Sequence, residues 1–289
     1  MSPDVVIFAP RRKGESMELS LEHLPKEHDL RKLVYIEAKA VELMRSIFCA
    51  YKLHKEELGN LSSEMLMAYL FTERQIRHAE SFSLLKGQSD KLLVSRTMFE
   101  GALFLAYAVK RKGNEIADKW KLHFYTQWIE RANDKDFPPE MRRQIDINRN
   151  DIDRFFRKKT HGQAVYSSKW ITTNIHDIAL CLDDACKSMY DNYYRPMAEY
   201  HHWSSLSLFE YSHVNDSDEG SMTSRIVSTI NAYLISTFSS LLVVKIFLTL
   251  FDRESSDGIK RLKEIEGVEE MLSELKFIKT KKVMMTSST

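Results

Sequence analysis

Turn-forming residues are scarce in this chain, with nine glycines and six prolines among 289 residues. Gly and Pro punctuate short strands and loops, so a chain poor in both spends few residues on turns and many in long elements, which favours helices. The same poverty argues against folds built on repeated Gly-rich phosphate loops, and neither G-x-G-x-x-G nor G-x-x-x-x-G-K-[ST] occurs. Cysteine is also scarce. Cys49, Cys181 and Cys186 are an odd number, and the last two are five apart, which is neither a zinc nor a redox spacing. They read as buried thiols in a reducing cytosol. An excess of one charge is missing as well: 42 Lys plus Arg stand against 41 Asp plus Glu. That balance removes the global footprint of a protein whose whole surface grips nucleic acid and leaves only local patches. The apolar run Val5 to Ala9 is too short for a signal-peptide core, and its charges, Arg11, Arg12 and Lys13, follow it instead of preceding it, so a cytoplasmic location is expected.

What is present is helical periodicity. Leu33, Ile36, Ala40, Leu43, Ile47 and Tyr51 recur at the three-and-four spacing that puts one apolar stripe on one helix face, predicting a helix from Asp29 to Leu58. Further helices are predicted from Ser62 or Ser63 to Lys86, onward to Lys112, from Glu115 to Ala132, and from Pro139 to Lys158. After a connection over 161–173 come Asn174 to Tyr194, Pro196 to His213, Thr223 to Asp252 and Ser256 to Lys276. The expectation is an all-α, multi-helix bundle of about eight to nine helices around two apolar central ones. Residues 1–28 form an N-terminal extension with a short strand near Val5 to Phe8, 29–278 a single domain with a candidate internal boundary near 161–173, and 279–289 a flexible tail. The stretch Ile226 to Phe251 is long enough to cross a membrane, but nine of its positions are polar, including Asn231 and Lys245. A central buried helix is the better reading, and a membrane partner is not expected.

Three segments carry candidate chemistry. Leu92 to Val109 is eighteen residues long with only two charges, Arg96 and Glu100, four apart and so on one helix face. A helix apolar on nearly every side is buried, which predicts a buried Arg96–Glu100 pair with further polar partners from other helices. The segment Tyr200 to His213 holds His201, His202 and His213, and histidine is the side chain best suited to proton transfer near neutral pH. Glu210 and His213 have the E-x-x-H spacing of di-iron bundles. That architecture needs a second such motif and two more inward carboxylates, and a mononuclear site needs a third ligand at a telling distance, so neither metal nor cofactor is expected. In Arg142 to His161, the cations Arg142, Arg143, Arg149, Arg154, Arg157, Lys158 and Lys159 outnumber Asp146, Asp151 and Asp153, with Phe155 and Phe156 between them. A basic face with interleaved aromatics suits phosphate contacts, although a solvated helix face has the same composition. Arg154 with His161, and Arg195 with His201 and His202, match the Arg-x(4 to 6)-His signature of HEPN ribonucleases at a frequency that composition alone explains.

The run Arg96-Thr-Met-Phe-Glu100-Gly-Ala-Leu-Phe-Leu-Ala-Tyr107, preceded by Leu84-Leu85-Lys86-Gly87 and followed far downstream by Tyr211-Ser212-His213, resembles a widespread bacterial, all-helical domain family of unknown function. The resemblance covers about Ser62 to Phe251; residues 1–60 have no counterpart in it. It implies an Arg-x-x-x-Glu helix and a later Tyr/Ser-rich helix ending in His, so that Arg96, Glu100 and His213 are the family-like polar residues, with Ser205 a weaker match. A HEPN-like relationship is one extension of it.

Two readings follow. In the first, Arg96, Glu100 and His213 converge in a cleft and cleave RNA, as in a HEPN-like toxin or phage-defence effector: His213 moves a proton and Arg96 stabilises the phosphate charge. In the second, the same residues form a structural network while helical faces recruit a partner protein or a second copy of the chain.

Overall fold

The computed structural model describes residues 27–111, 114–160, 163–197 and 219–275. The helices are α1 (Glu27–Ala50), α2 (Lys55–Leu58), α3 (Ser63–Leu84), α4 (Gln88–Lys110), α5 (Asn114–Thr126), α6 (Pro139–Ile147), α7 (Arg149–Phe156), α8 (Ile175–Leu182), α9 (Asp184–Met189), α10 (Glu219–Phe251) and α11 (Ser256–Ser273). Two short strands, β1 (Arg157–Thr160) and β2 (Gln163–Tyr166), pair antiparallel with Arg157 opposite Tyr166. The protein is all-α, and the hairpin is its one sheet among the described residues.

The apolar stripe of α1 is real and runs through Leu33, Ile36, Ala40, Met44 and Ile47, each fully buried. The helix stops at Ala50 and not at Leu58, because a new start intervenes: the backbone N–H of His54 donates to the Glu57 carboxylate at 2.6 Å, and that of Leu53 to the Tyr69 hydroxyl at 3.2 Å. Ser62 caps α3 by accepting from the Met65 N–H, and Ser255 caps α11 by accepting from Gly258.

The two apolar helices lie at the centre. α10 packs most extensively on α4, then on α1 and α3. Both are long and apolar enough to cross a membrane, and the apolar window of α10 is 61% buried within the protein. Three of its polar residues bond internally: Thr237 and Ser239 donate back to the carbonyls of Tyr233 and Ile235, and Ser236 donates to Glu37 at 3.1 Å, whereas the buried Ser240 hydroxyl has no hydrogen-bond partner among the described residues. At its C-terminal end Phe247 and Phe251 stack, ringed by Phe48, Tyr51 and Tyr69. There α11 approaches so closely that a Cβ on Gly258 would sit 1.7 Å from the Asp252 carbonyl oxygen. Tyr51 holds the same corner by donating to the Asp252 carboxylate.

A second, smaller core joins α5 to α7: Leu122, Ile129, Ala132, Phe137, Ile145, Ile152 and Phe156. The single helix predicted from Pro139 to Lys158 is divided at Asn148, which ends α6 and begins α7. β1 begins inside the helix expected to reach Lys158, and β2 lies in the connection expected over 161–173. The strand expected near Val5 to Phe8 lies outside the described residues. Cys186 is buried as expected, whereas Cys49 and Cys181 are exposed on outward faces of α1 and α8.

Candidate functional site

Arg96 and Glu100 sit one turn apart on α4, where the helix meets a π-helical turn, Tyr190–Tyr194. Such wide turns place an extra residue in a helix and recur at functional sites. Here the turn brings three tyrosines, Tyr190, Tyr193 and Tyr194, into one short segment. The Tyr194 hydroxyl donates to Glu100 Oε1 at 2.5 Å, and Arg96 Nε donates to the same oxygen at 2.9 Å. The Arg96 guanidinium carbon lies 5.4 Å from the Tyr194 ring centroid, a cation–π placement. Phe99 packs against the Tyr194 ring, Tyr190 stacks on it at 5.2 Å, and His176 of α8 lies against Tyr190.

The expectation of a buried pair is corrected in one respect and met in another. The side chains of Arg96 and Glu100 are 23% and 34% exposed, so the pair is only partly covered. The expected extra polar partner is there, and it is Tyr194. Burial, reinforced by the hydrogen bond to Glu100, holds the Tyr194 phenol well above its ordinary range, so it remains a neutral donor at neutral pH. Burial works against the Arg96 cation, but its bond to Glu100 and its closeness to Tyr194 outweigh that and raise its pKa. The result is a fixed, charged guanidinium with part of its surface toward solvent.

His213, Ser205 and the histidines His201 and His202 lie outside the described residues. The sequence there also holds a second E-x-x-H, Glu199 to His202, in the same segment as Glu210 and His213. A di-iron bundle draws its two motifs from different helices, so this pair within one segment does not supply that arrangement. Among the described residues no group of three His, Cys, Asp or Glu side chains is placed to hold a metal ion.

The basic stretch is divided by the fold. Arg142 serves structure: its guanidinium donates to the carbonyls of Ala132 and Asp134, both at 2.8 Å, and so ties down the turn before α6. Arg149 and Arg157 share Asp153, which also accepts from the Tyr166 hydroxyl. Arg143 and Lys158 are exposed, and the Arg154 guanidinium lies 4.2 Å from the Phe155 ring centroid. The side chain of Lys159 lies outside the described residues. These cations decorate α6, α7 and β1, and α7 packs on α5, whereas Arg96 faces the π turn. Arg96 and Glu100 are thus brought together with Tyr194, and the basic residues form a separate group.

Tyr194, Tyr190 and His176 were missed by sequence reasoning. The dense run Tyr190 to Tyr194 was the available signal, but its contact with α4 depends on a tertiary packing that helical periodicity does not encode.

Fold and site together define an all-helical protein organised around an apolar Arg-x-x-x-Glu helix. The chain belongs to DUF5677, a family of unknown function whose model matches residues 67–221, more than half of the sequence, including α4 and the π turn. No curated protein and no solved structure matches it.

Proposed function

We propose that this protein acts on RNA, as a HEPN-like ribonuclease of toxin or defence type, with Arg96 as the phosphate-facing cation. The observation that carries this reading is the clamped, partly exposed Arg96: Glu100 fixes its Nε, Tyr194 supports its face, and its side chain keeps 23% of its surface toward solvent, where an anion can reach it. His213 would take the proton of the ribose 2′-hydroxyl as that oxygen bonds to phosphorus and the bond to the 5′-oxygen breaks, the leaving oxygen being protonated in turn. Arg96 meets the charge that builds on the phosphate. The exposed cations of α6 and α7 would hold the flanking backbone.

The alternative is a non-enzymatic module that engages a partner protein. It is favoured by one observation, that Arg96 and Tyr194 both satisfy the same Glu100 oxygen within the chain. Incubating the purified protein with total RNA in EDTA, beside Arg96→Ala and His213→Ala, separates the two. The ribonuclease reading expects cleavage that survives chelator and falls by about 10²- to 10⁴-fold in His213→Ala with an unchanged circular dichroism spectrum. RNA left intact by the wild type, alone or with a co-purifying protein, selects the module.

A further inference from the structure

Between α5 and the α6–α7 junction lies a half-open cleft of about 410 Å³, within the size range of small-ligand sites. We propose that it is a guanine-binding pocket, an inference that rests on the RNA-acting reading and names the base that reading lacks. Leu122, 8% exposed, forms the floor, and the half-buried Tyr125 supplies a ring on which a base can stack. The Arg154 guanidinium, steadied against Phe155, offers a second flat surface and a charge at the rim, where Lys121 adds another.

The polar groups in the cleft are rich in acceptors. Asp118 accepts from the Ser63 hydroxyl through Oδ1, which orients the carboxylate. Asn148 spends its amide N–H on the Gln144 carbonyl at 2.8 Å and makes no side-chain cap bond to the start of α7, so its amide oxygen is not consumed there. Gln144 likewise directs its amide nitrogen to Glu140, at 3.0 Å. A carboxylate accepts two parallel N–H bonds, and guanine alone among the four RNA bases presents two adjacent N–H donors, at N1 and the 2-amino group. Adenine and cytosine place an acceptor beside their amino group, and uracil flanks its single N–H with carbonyls. An acceptor-lined cleft whose exposed lining holds two cations, Lys121 and Arg154, against one carboxylate, Asp151, therefore fits a guanine whose phosphates lie outward.

The test uses the full chain and two kinds of probe: the four free nucleoside monophosphates by calorimetry, and fluorescein-labelled RNA 12-mers of adenosine with or without one central guanosine by anisotropy. The pocket predicts that GMP, or the guanosine RNA, binds about tenfold or more tighter than its counterparts. It predicts that Asp118→Asn removes this preference, read as the ratio of guanosine-RNA to all-adenosine-RNA affinity, and that Gln144→Leu, which keeps Asp118, weakens the preference in part. A response confined to the RNA arm assigns the pocket to a polymer, and one shared by GMP to a free nucleotide as well; both support it. Equal affinity for all bases, or a preference that survives in Asp118→Asn, overturns it. RNA cleaved without regard to guanine would discard the pocket and keep the RNA reading, whereas tight GMP binding with no RNA cleavage would keep the pocket and discard that reading.

Discussion

The bundle around α4 and α10 and the lobe formed by α5 to α7 solve different problems with similar residues. In the bundle, several charged and hydroxyl groups are drawn inward and bonded within the chain: Ser236 to Glu37, Thr237 and Ser239 to their own helix, Arg96 and Tyr194 to one oxygen of Glu100. In the lobe a few large side chains such as Phe137, Ile145 and Phe156 make a small core, and charged residues such as Asp118, Asp151 and Arg154 line an open cleft. A deep core confers stability and fixes a site's geometry. A shallow one leaves room for a ligand.

The sharpest way to break this contrast is to remove one ring from each core. Phe247→Ala empties part of the aromatic cluster at the end of α10 and is expected to cost about 3 to 5 kcal/mol of global stability by chemical denaturation. Phe156→Ala should instead show first as faster amide exchange confined to α6 and α7, because a region with fewer buried contacts opens on its own. Equal, cooperative losses from both would mean that the lobe has no independence. Gly258→Ala follows in size. Its new methyl meets the Asp252 carbonyl, an atom that cannot swing aside, so a loss of about 1 to 3 kcal/mol and a loosened α11 are expected in thermal melts.

Smaller effects probe the polar groups. Arg96→Met and Glu100→Gln should each cost about 1 to 2 kcal/mol and be non-additive in the double variant. A fully buried pair would lose about 3 to 5, and the partial exposure here sets the lower figure. Glu37 gives the smallest effect and the only one with a pH signature. Burial raises its pKa above the ordinary carboxylate range, with the Ser236 hydrogen bond and the Lys91 charge offsetting part of the shift. A carboxyl whose folded pKa is raised contributes stability below its unfolded pKa and loses that contribution as pH rises through the folded value. Glu37→Gln should therefore gain on the wild type from mildly acidic to neutral pH. A melting-temperature difference that is flat with pH would show that Glu37 titrates normally.

The bundle was the legible part of the sequence, and the lobe was not. Burial on one face imposes a period, so Leu33 to Ile47 could be read from spacing, and the two central helices could be read from their long apolar runs with few charges. The divide at Asn148 and the hairpin after it depend on local turn chemistry in a polar stretch, where no apolar period reports on structure. The candidate site was half legible. Arg96 and Glu100 stood out as the only charges in the apolar run Leu92 to Val109, but their exposure was misjudged, because hydrophobicity measures how apolar a run is and not which face the fold covers. Tyr194 was invisible for a related reason: it reaches Glu100 across 94 positions, through a π turn that pattern reading does not predict.

The central claim is that the clamped guanidinium of Arg96 works on RNA and is more than a packing device. Its most direct measurement is the single-turnover cleavage rate of a labelled RNA in EDTA by wild type and by Arg96→Met, with melting curves of both recorded alongside. The account predicts a fall of about 10²- to 10³-fold in rate against a melting shift of only a few degrees. A variant that cleaves as fast as wild type, or a wild type that does not cleave at all, would contradict it.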